Sequence, residues 1–501
     1  MTHPPNGSAA PPGAPGAPGA PGQAPARSAP TMPAVPPQAA TPTAAPTTAP
    51  AAEPPSPPRR TAWAEGTDRL RAAATTEPGR LRIIGAVLAL LVVAFGAVTT
   101  WQMSDRSAAA DDVLHRSQPL SADAAAIYRS LADANTAASS GFLAGGQEPA
   151  SVRQRYERDI RTASEKLATA ASSAGPDSSS AAAVAELNKL LPQYTGLIER
   201  ARAGNRQGLP LGGAYLRYAN DKMQEQMLPA AEKLYQAEND RLGSDYGDAK
   251  PYPWAAIGLG VVAIAGLVWA QRRNYRRTNR VFNHGLLAAT AASGVVLLWL
   301  VAGHSIARAD LTDSYDHGVK SLNVLQDARI NSLKARGNEN LTLVSRGAET
   351  VKVGEDVKDK FDVAFKAQMK ALGDTDSGLL GDAAGLADDS KGEQPVTKAV
   401  ASVKEWKKRH QEARVADDGG DYQQALDRVI GSKKDVPTGE CFDNVDTALE
   451  QALTHEQAEF KQAASDGRGA MTGLPVGAAV LAVLAAAGAV LGIGRRLSEY
   501  R

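Results

Sequence analysis

Leu81 to Trp101 reads LRIIGAVLALLVVAFGAVTTW, and its one charged residue, Arg82, stands at the very start. Three more stretches share this character. Tyr252 to Ala270 is YPWAAIGLGVVAIAGLVWA, His284 to Gly303 is HGLLAATAASGVVLLWLVAG, and Thr472 to Gly494 is TGLPVGAAVLAVLAAAGAVLGIG. Each approaches the roughly 20 apolar residues that cross a hydrocarbon core about 30 Å thick. A buried helix in a soluble protein could explain one such run but not four. The sequence therefore predicts an all-α membrane protein with four transmembrane helices, at 81–101, 252–270, 284–303 and 472–494.

Arginine sets the expected orientation. The segment 271–283 between the second and third spans carries Arg272, Arg273, Arg276, Arg277 and Arg280 and no acidic residue. Arg80 and Arg82 lie at the start of the first span, and Arg495 and Arg496 follow the last. In a four-span topology all of these fall on one side, which the positive-inside rule makes the cytoplasm. Trp101, Tyr252, Trp254 and Trp299 then fall at outer ends and Trp269 at an inner one, as membrane interfaces favour. Both termini, with the tail 495–501, are expected to be cytoplasmic in a cell membrane.

The two long segments, 102–251 and 304–471, are then extracytoplasmic. Neither shows strand alternation. Leu187, Leu190, Leu191, Tyr194 and Leu197 form one helical stripe, and Met223, Met227, Leu228, Ala231 and Leu234 form another. Breaks near Gly145-Gly146, Gly175-Pro176 and Gly204 to Gly213 divide the first segment into four helices. Breaks near Gly347, Gly373 to Ser390, Gly419-Gly420 and Val436 to Gly439 divide the second into about four. Short connections between amphipathic helices give two antiparallel bundles whose ends can run into the spans. Gly145 and Gly347 end the first helix of each segment about 44 residues beyond a span, and Gln236-Ala237-Glu238 and Gln457-Ala458-Glu459 hold matching places near the far ends. The pattern suggests an internal duplication.

The first 60 residues hold 19 of the chain's 31 prolines and, before Glu53, only Arg27 as a charge among Asp, Glu, Lys and Arg. With so little to bury, residues 1–80 are expected to be a disordered cytoplasmic tail rather than a signal peptide. Its arginines from Arg59 to Arg80 suit an anionic membrane surface. Thr41, Thr43, Thr47 and Ser56 are phosphorylation candidates, though a proline-rich spacer is the simpler reading. Net charge is +1, which suggests no nucleic-acid partner.

No phosphate loop, nucleophile elbow or kinase signature is present, so a non-enzyme without cofactor or metal is expected. His455-Glu456-Gln457-Ala458-Glu459 resembles a zinc-protease helix but has Glu459 where the second histidine is needed, and it reads as a solvated helix face. Asp374 to Gly378, with Asp382, Asp388 and Asp389 nearby, lacks the ligand register of a calcium loop and reads as an acidic loop. The lone Cys441 excludes an intramolecular disulfide and suggests an unpaired surface thiol or a cross-link between copies. The spans lack the internal charges of pumps and ion-coupled transporters. Gly258, Gly260, Gly266 and the Gly488-xxx-Gly492 pair allow close packing within a bundle or a homodimer.

Spans flanking an outer four-helix bundle resemble the sensor regions of bacterial chemoreceptors and histidine kinases, but with only Arg495 to Arg501 after the last span, output is expected to pass through another protein. That architecture, over residues 81–501, resembles the actinobacterial GlnX-like membrane proteins. The resemblance implies a relay: an amino-acid-binding lipoprotein docks outside and a soluble Ser/Thr kinase responds inside. The leading expectation is a non-enzymatic transmembrane sensor, with Arg272, Arg273, Arg276, Arg277, Arg280, Arg495 and Arg496 as contacts for the cytoplasmic partner. The alternative is a structural scaffold of the cell envelope.

Overall fold

The computed structural model describes residues 75–176, 178–278, 283–431 and 436–497. The expected disordered tail lies outside them up to residue 74. Helix α1 (Glu77–Asp112) starts four residues before the predicted span. Thr76 caps it, its hydroxyl accepting from the Gly79 N–H at 3.3 Å, and Pro78 sits in the first turn, where no N–H is needed. After a π turn at Val113–Ser117 the chain continues as α2 (Gln118–Leu143). The helix is unbroken for 67 residues, about 100 Å at 1.5 Å per residue.

The first outer segment continues with α3 (Ala150–Ser173), α4 (Ser179–Arg206), α5 (Leu211–Lys222), a π turn and α6 (Leu228–Ala249). The breaks fall where glycine and proline placed them, and both predicted apolar stripes are buried. Span α7 (Trp254–Thr278) follows. The second half opens with α8 (His284–Asp313), a π turn at Ser314–Val319 and α9 (Lys320–Ser345), again one unbroken helix, here of 62 residues. Then come α10 (Lys360–Leu372), α11 (Gly378–Leu386), α12 (Ser390–Asp418), α13 (Tyr422–Ile430), α14 (Thr438–Met471) and span α15 (Leu474–Leu497).

The second segment thus holds six helices rather than about four, and a β-hairpin that helical patterning did not foresee. Strands Thr350–Val353 and Asp356–Asp359 pair antiparallel, with Val353 opposite Asp356 around a turn in which Gly354 takes a positive φ of 65°. The halves nevertheless correspond. α2 and α9 have 26 residues each, each follows a π turn, and each is followed by a left-handed glycine, Gly145 at φ 75° and Gly347 at φ 73°.

The spans differ in how they join the bundles. The first span of each half runs straight into its bundle helix, as expected. The second does not. Between α6 and α7 the residues around Pro251 and Pro253 leave the helix, because proline lacks the N–H that helical bonding requires. Between α14 and α15 the break is Thr472-Gly473, with Gly473 at φ 78°. Groups on α1 and its neighbourhood satisfy both junctions. Arg106 Nε donates to the Pro251 carbonyl at 2.7 Å, Gln102 Oε1 accepts from the Ala256 N–H at 3.0 Å, and Thr100 donates to the Pro475 carbonyl at 3.1 Å.

All four of these helices are long and apolar enough to cross a membrane. They form a ring in which α1 and α8 each pack between α7 and α15. Small residues set the spacing. Gly285 lies against Gly488 and Gly492, so close that an added Cβ would stand 2.4 Å from the Gly488 carbonyl, and Gly96 lies against Ala482. Asn283 Nδ2 fixes one end of this contact by donating to the Gly492 carbonyl at 2.8 Å. The Gly488-xxx-Gly492 pair is therefore used within the chain. Leu90, Leu298, Val476 and Leu491 point outward and are exposed, as lipid-facing side chains would be.

The two outer bundles share one core. Its buried residues run continuously from Ile127, Leu131, Leu187 and Tyr194 of the first half to Leu333, Phe365, Trp406 and Phe442 of the second. Cys441 belongs to this core at 4% exposure. That corrects the expectation of a surface thiol or an intermolecular link, because its helix face turns inward at the start of α14.

Candidate functional site

Where the halves meet, α2 and α9 lie side by side. Small and polar residues make the approach possible: Ala132 to Ser140 on α2 includes Ala134, Ala137 and Ala138, and α9 offers Ala335 and Gly337. Buried polar groups in such a seam need partners. Thr136 donates across it to the Leu333 carbonyl at 3.0 Å, and Asn340 Nδ2 donates to Ser140 Oγ at 2.7 Å. Within the first half, Asn135 Nδ2 donates to Asn220 at 2.9 Å. Each bond ties register to side-chain identity, so the two helices have few ways to slide.

Charged residues flank this seam. Arg155 of α3 grips both oxygens of Asp133 through Nε, at 2.9 and 3.0 Å, and reaches Asp443 of α14 at 3.4 Å. Arg329 of α9 makes a bidentate pair with Asp446, at 2.6 and 3.0 Å, and meets Glu450 at 3.1 Å. Burial, with the negative Asp133 beside it, pushes the Asp159 carboxyl well above its usual range.

A cavity of about 350 Å³ opens between the halves, lined by Thr136, Ser140 and Arg155 on one side and Arg336, Phe442 and Asp443 on the other. Arg336 links it to a deeper polar cluster. The guanidinium bonds Glu339 and donates to Thr438 Oγ1 at 2.9 Å. Glu339 also accepts from Trp406 Nε1 at 3.1 Å and from His410 Nδ1 at 3.0 Å, while His410 Nε2 lies 3.2 Å from Asp362. Burial alone would lower the imidazole's pKa, but the bonds to Asp362 and Glu339 raise it above its ordinary value. Burial would raise Asp362, yet His410 and Lys366 hold it down at about 2. The arrangement bridges two structural halves with paired charges and an open cavity, a geometry that ligand occupancy or protonation can bias.

The described arginines among those singled out from sequence lie at the far end of the spans from the bundles. Arg272, Arg273 and Arg276 end α7, and Arg495 ends α15. Arg277 and Arg496 lie in the same helices, but their side chains fall outside the described residues, as does Arg280 entirely. Gln271 Nε2 donates to the Leu286 carbonyl at 3.0 Å, which places the end of α7 beside the start of α8. Among the described residues, Arg272, Arg273, Arg276 and Arg495 take no part in the seam. Sequence reasoning missed Arg129, Arg155, Arg329, Arg336, Glu339 and His410, since charge spacing does not reveal which helix face meets another half.

His455 lies between carboxylates, its Nε2 3.0 Å from Asp389 and 3.2 Å from Glu459. The Asp389 oxygen is already engaged: it caps α12 by accepting from the Lys391 and Gly392 N–H groups at 2.7 and 2.8 Å. A cation there would displace a helix cap. In the acidic loop, Asp374 Oδ1 is likewise taken by the Asp376 N–H and Ser377 hydroxyl of its own turn.

Comparison with known families bears on this seam. Residues 109–247 match the family model described as an actinobacterial sensor domain. The match supports a sensor protein. It covers α2 to α6 and the adjoining stalk, the whole first-half wall of the seam. No curated protein and no solved structure matches the chain.

Proposed function

We propose that the chain is a non-enzymatic transmembrane relay, in which a ligand or an amino-acid-loaded solute-binding lipoprotein engages the outer bundles. A separate Ser/Thr kinase reads the result at the arginine-rich ends of the spans. The observation that carries this reading is the pair of unbroken helices, Glu77–Leu143 and His284–Ser345, which join the seam directly to the spans. A shift between α2 and α9 must be felt by α1 and α8, since a continuous helix transmits displacement along its axis. The proline and glycine junctions let α7 and α15 follow separately. Two packings of the seam would then give two arrangements of the inner ends.

The bundles are placed outside and both termini inside, following the arginine bias. Arg272, Arg273, Arg276, Arg277, Arg280, Arg495 and Arg496 are the proposed kinase-side contacts. The test is crosslinking and capture from native membranes, using the tagged full chain with and without added amino acids. Recovery of a solute-binding lipoprotein and a Ser/Thr kinase, varying with the additive, supports the relay. Recovery of envelope-assembly proteins alone, indifferent to the additive, overturns it in favour of a scaffold.

A further inference from the structure

On the bundle side of the spans, three cations crowd the break between α6 and α7. Arg106 donates only to carbonyls, those of Gln102, Pro251 and Tyr252. The Lys250 ammonium sits between two rings, 5.0 Å from the centre of Tyr246 and 4.6 Å from that of Tyr315. The Arg308 guanidinium covers the Tyr252 ring at 5.0 Å. Among the described residues none of the three has a carboxylate in ion-pair contact. At the α14–α15 junction, by contrast, Arg468 Nε pairs with Asp111 at 2.7 Å. The carboxylates nearby do not cancel the surplus. Asp316 lies near Lys250 but is bound by Lys320 at 2.7 Å. Asp310 turns toward Gly467 and Asp466 on α14. That leaves Asp105 near Arg106 and Asp313 near Arg308 against three positive groups.

Arg308 opens onto a surface groove of about 400 Å³ lined also by Ser305, Thr312, Asp313, Asp316 and His317. Leu298, Val301, Ser305, Arg308 and Thr312 follow one another at spacings of three and four, so they share one face of α8. Leu298 and Val301 on that face are exposed, within the span. The face therefore runs from bare apolar surface into a basic, hydroxyl-lined groove. Depth fits as well. Arg308 lies five residues beyond Gly303, the last residue of the predicted span, which is about 7.5 Å along a helix. Phospholipid headgroups occupy the layer about 5–7 Å deep just outside the hydrocarbon core. A soluble anion would use the groove and leave the apolar half of the face bare, whereas a phospholipid matches both halves.

We infer that this groove seats the headgroup of one anionic phospholipid from the bundle-side leaflet, with its phosphate on Arg308, in the field of Lys250 and Arg106, and an acyl chain along Leu298 and Val301. Tyr252 stands under Arg308 and reaches Ser305, hydroxyl to hydroxyl, at 3.4 Å. A lipid held there ties the start of α7 to α8 at the proline break. The assignment depends neither on the relay nor on which side of the membrane the bundles occupy.

The test is native mass spectrometry of the purified, delipidated full chain in detergent, titrated with phosphatidylglycerol or phosphatidylcholine, with inorganic phosphate as competitor. The first phosphatidylglycerol should bind about fivefold more tightly than the first phosphatidylcholine, and equimolar phosphate should not displace it. Arg308→Gln should weaken that first phosphatidylglycerol about fivefold, and Lys250→Gln should weaken it in the same direction. Arg468→Gln, which removes a paired cation at the other junction, should leave it unchanged. Arg308 is exposed, so its variant should keep the parent's melting temperature, and the Lys250 variant gives a second reading if it does not. Equal affinity for the two lipids overturns the assignment. So does an Arg308→Gln chain that binds like the parent, or an Arg468→Gln chain that loses as much as Arg308→Gln. Displacement by inorganic phosphate would make the groove a site for a soluble anion and overturn the lipid.

Discussion

His410 Nδ1 stands 3.0 Å from a carboxylate oxygen of Glu339, and the two side chains are only 3% and 1% exposed. Removing two charges from water is tolerable only with full pairing, and here Arg336, Trp406 and Asp362 complete it. The cluster holds α9, α10 and α12 together on the second-half side of the seam.

Its charge state dictates a pH dependence. His410 is raised, so its contribution is complete below the ordinary imidazole value of about 6.5 and is lost as pH rises through the folded value. Asp362 and Glu339 are lowered, so theirs are complete above about 4.5 and are lost on further acidification. Burial pushes Glu456 up to about 7, which also favours the fold at lower pH. Thermal stability of the full chain in detergent should peak between about pH 4.5 and 6.5 and decline toward pH 8.5. His410→Gln should lower the peak and flatten the alkaline decline. A wild-type stability that climbs steadily from pH 5.5 to 8.5 would contradict this account.

Cys441 is buried in the shared core, and burial raises its thiol pKa. Thiolate, not thiol, reacts with alkylating reagents. Maleimide labelling of the folded chain should therefore be slow and should rise sharply at the unfolding transition, as read by mass spectrometry across a denaturant series. Rapid labelling of the folded chain would show that the start of α14 is not packed as described.

Arg106 satisfies the carbonyls freed where the chain leaves α6 for α7. Arg106→Ala should expose them and loosen that junction. Amide hydrogen exchange at residues 254–257 is expected to accelerate while exchange in 85–100 stays unchanged. Equal acceleration in both would mean that the junction has no independent freedom.

Gly285 and Gly258 make a matched comparison within the spans. A side chain at Gly285 would strike the Gly488 carbonyl and Gly492, whereas Gly258 has open space around it. Gly285→Leu should destabilise the chain by about 1–3 kcal/mol through overpacking, lowering its melting temperature in detergent. Gly258→Leu should have little effect. The reverse ranking would refute the α8–α15 contact.

The sequence made the spans legible because twenty apolar residues have few other uses. It also revealed most helix ends, where Gly145, Gly347 and Pro437 supply backbone conformations that helices cannot continue through. The hairpin at 350–359 was readable in principle, from Val351, Val353 and Val357 alternating about Gly354, but it is too short to compete with the surrounding helical pattern. α11, nine residues long, fell inside the stretch Gly373 to Ser390 read as a break, and α13, also nine, is a short helix between the breaks at Gly419-Gly420 and Val436 to Gly439. The site was the least legible part. Arg329 and His410 look like ordinary surface charges on amphipathic helices, and only tertiary packing turns them inward.

The seam joins two halves that match in length and turns but not in chemistry. Beside α14 it presents Arg129, Arg329 and Glu450. Beside α6 it presents Lys334 donating to the Tyr128 hydroxyl at 2.9 Å, with Glu232 nearby. A symmetric dimer of separate subunits would repeat any axial site and could let one occupancy influence the other. Here a ligand recognised on one flank finds no copy of its site on the other. Cooperativity needs at least two coupled sites, so a ligand taken up on one flank of a single chain should bind along a hyperbolic curve.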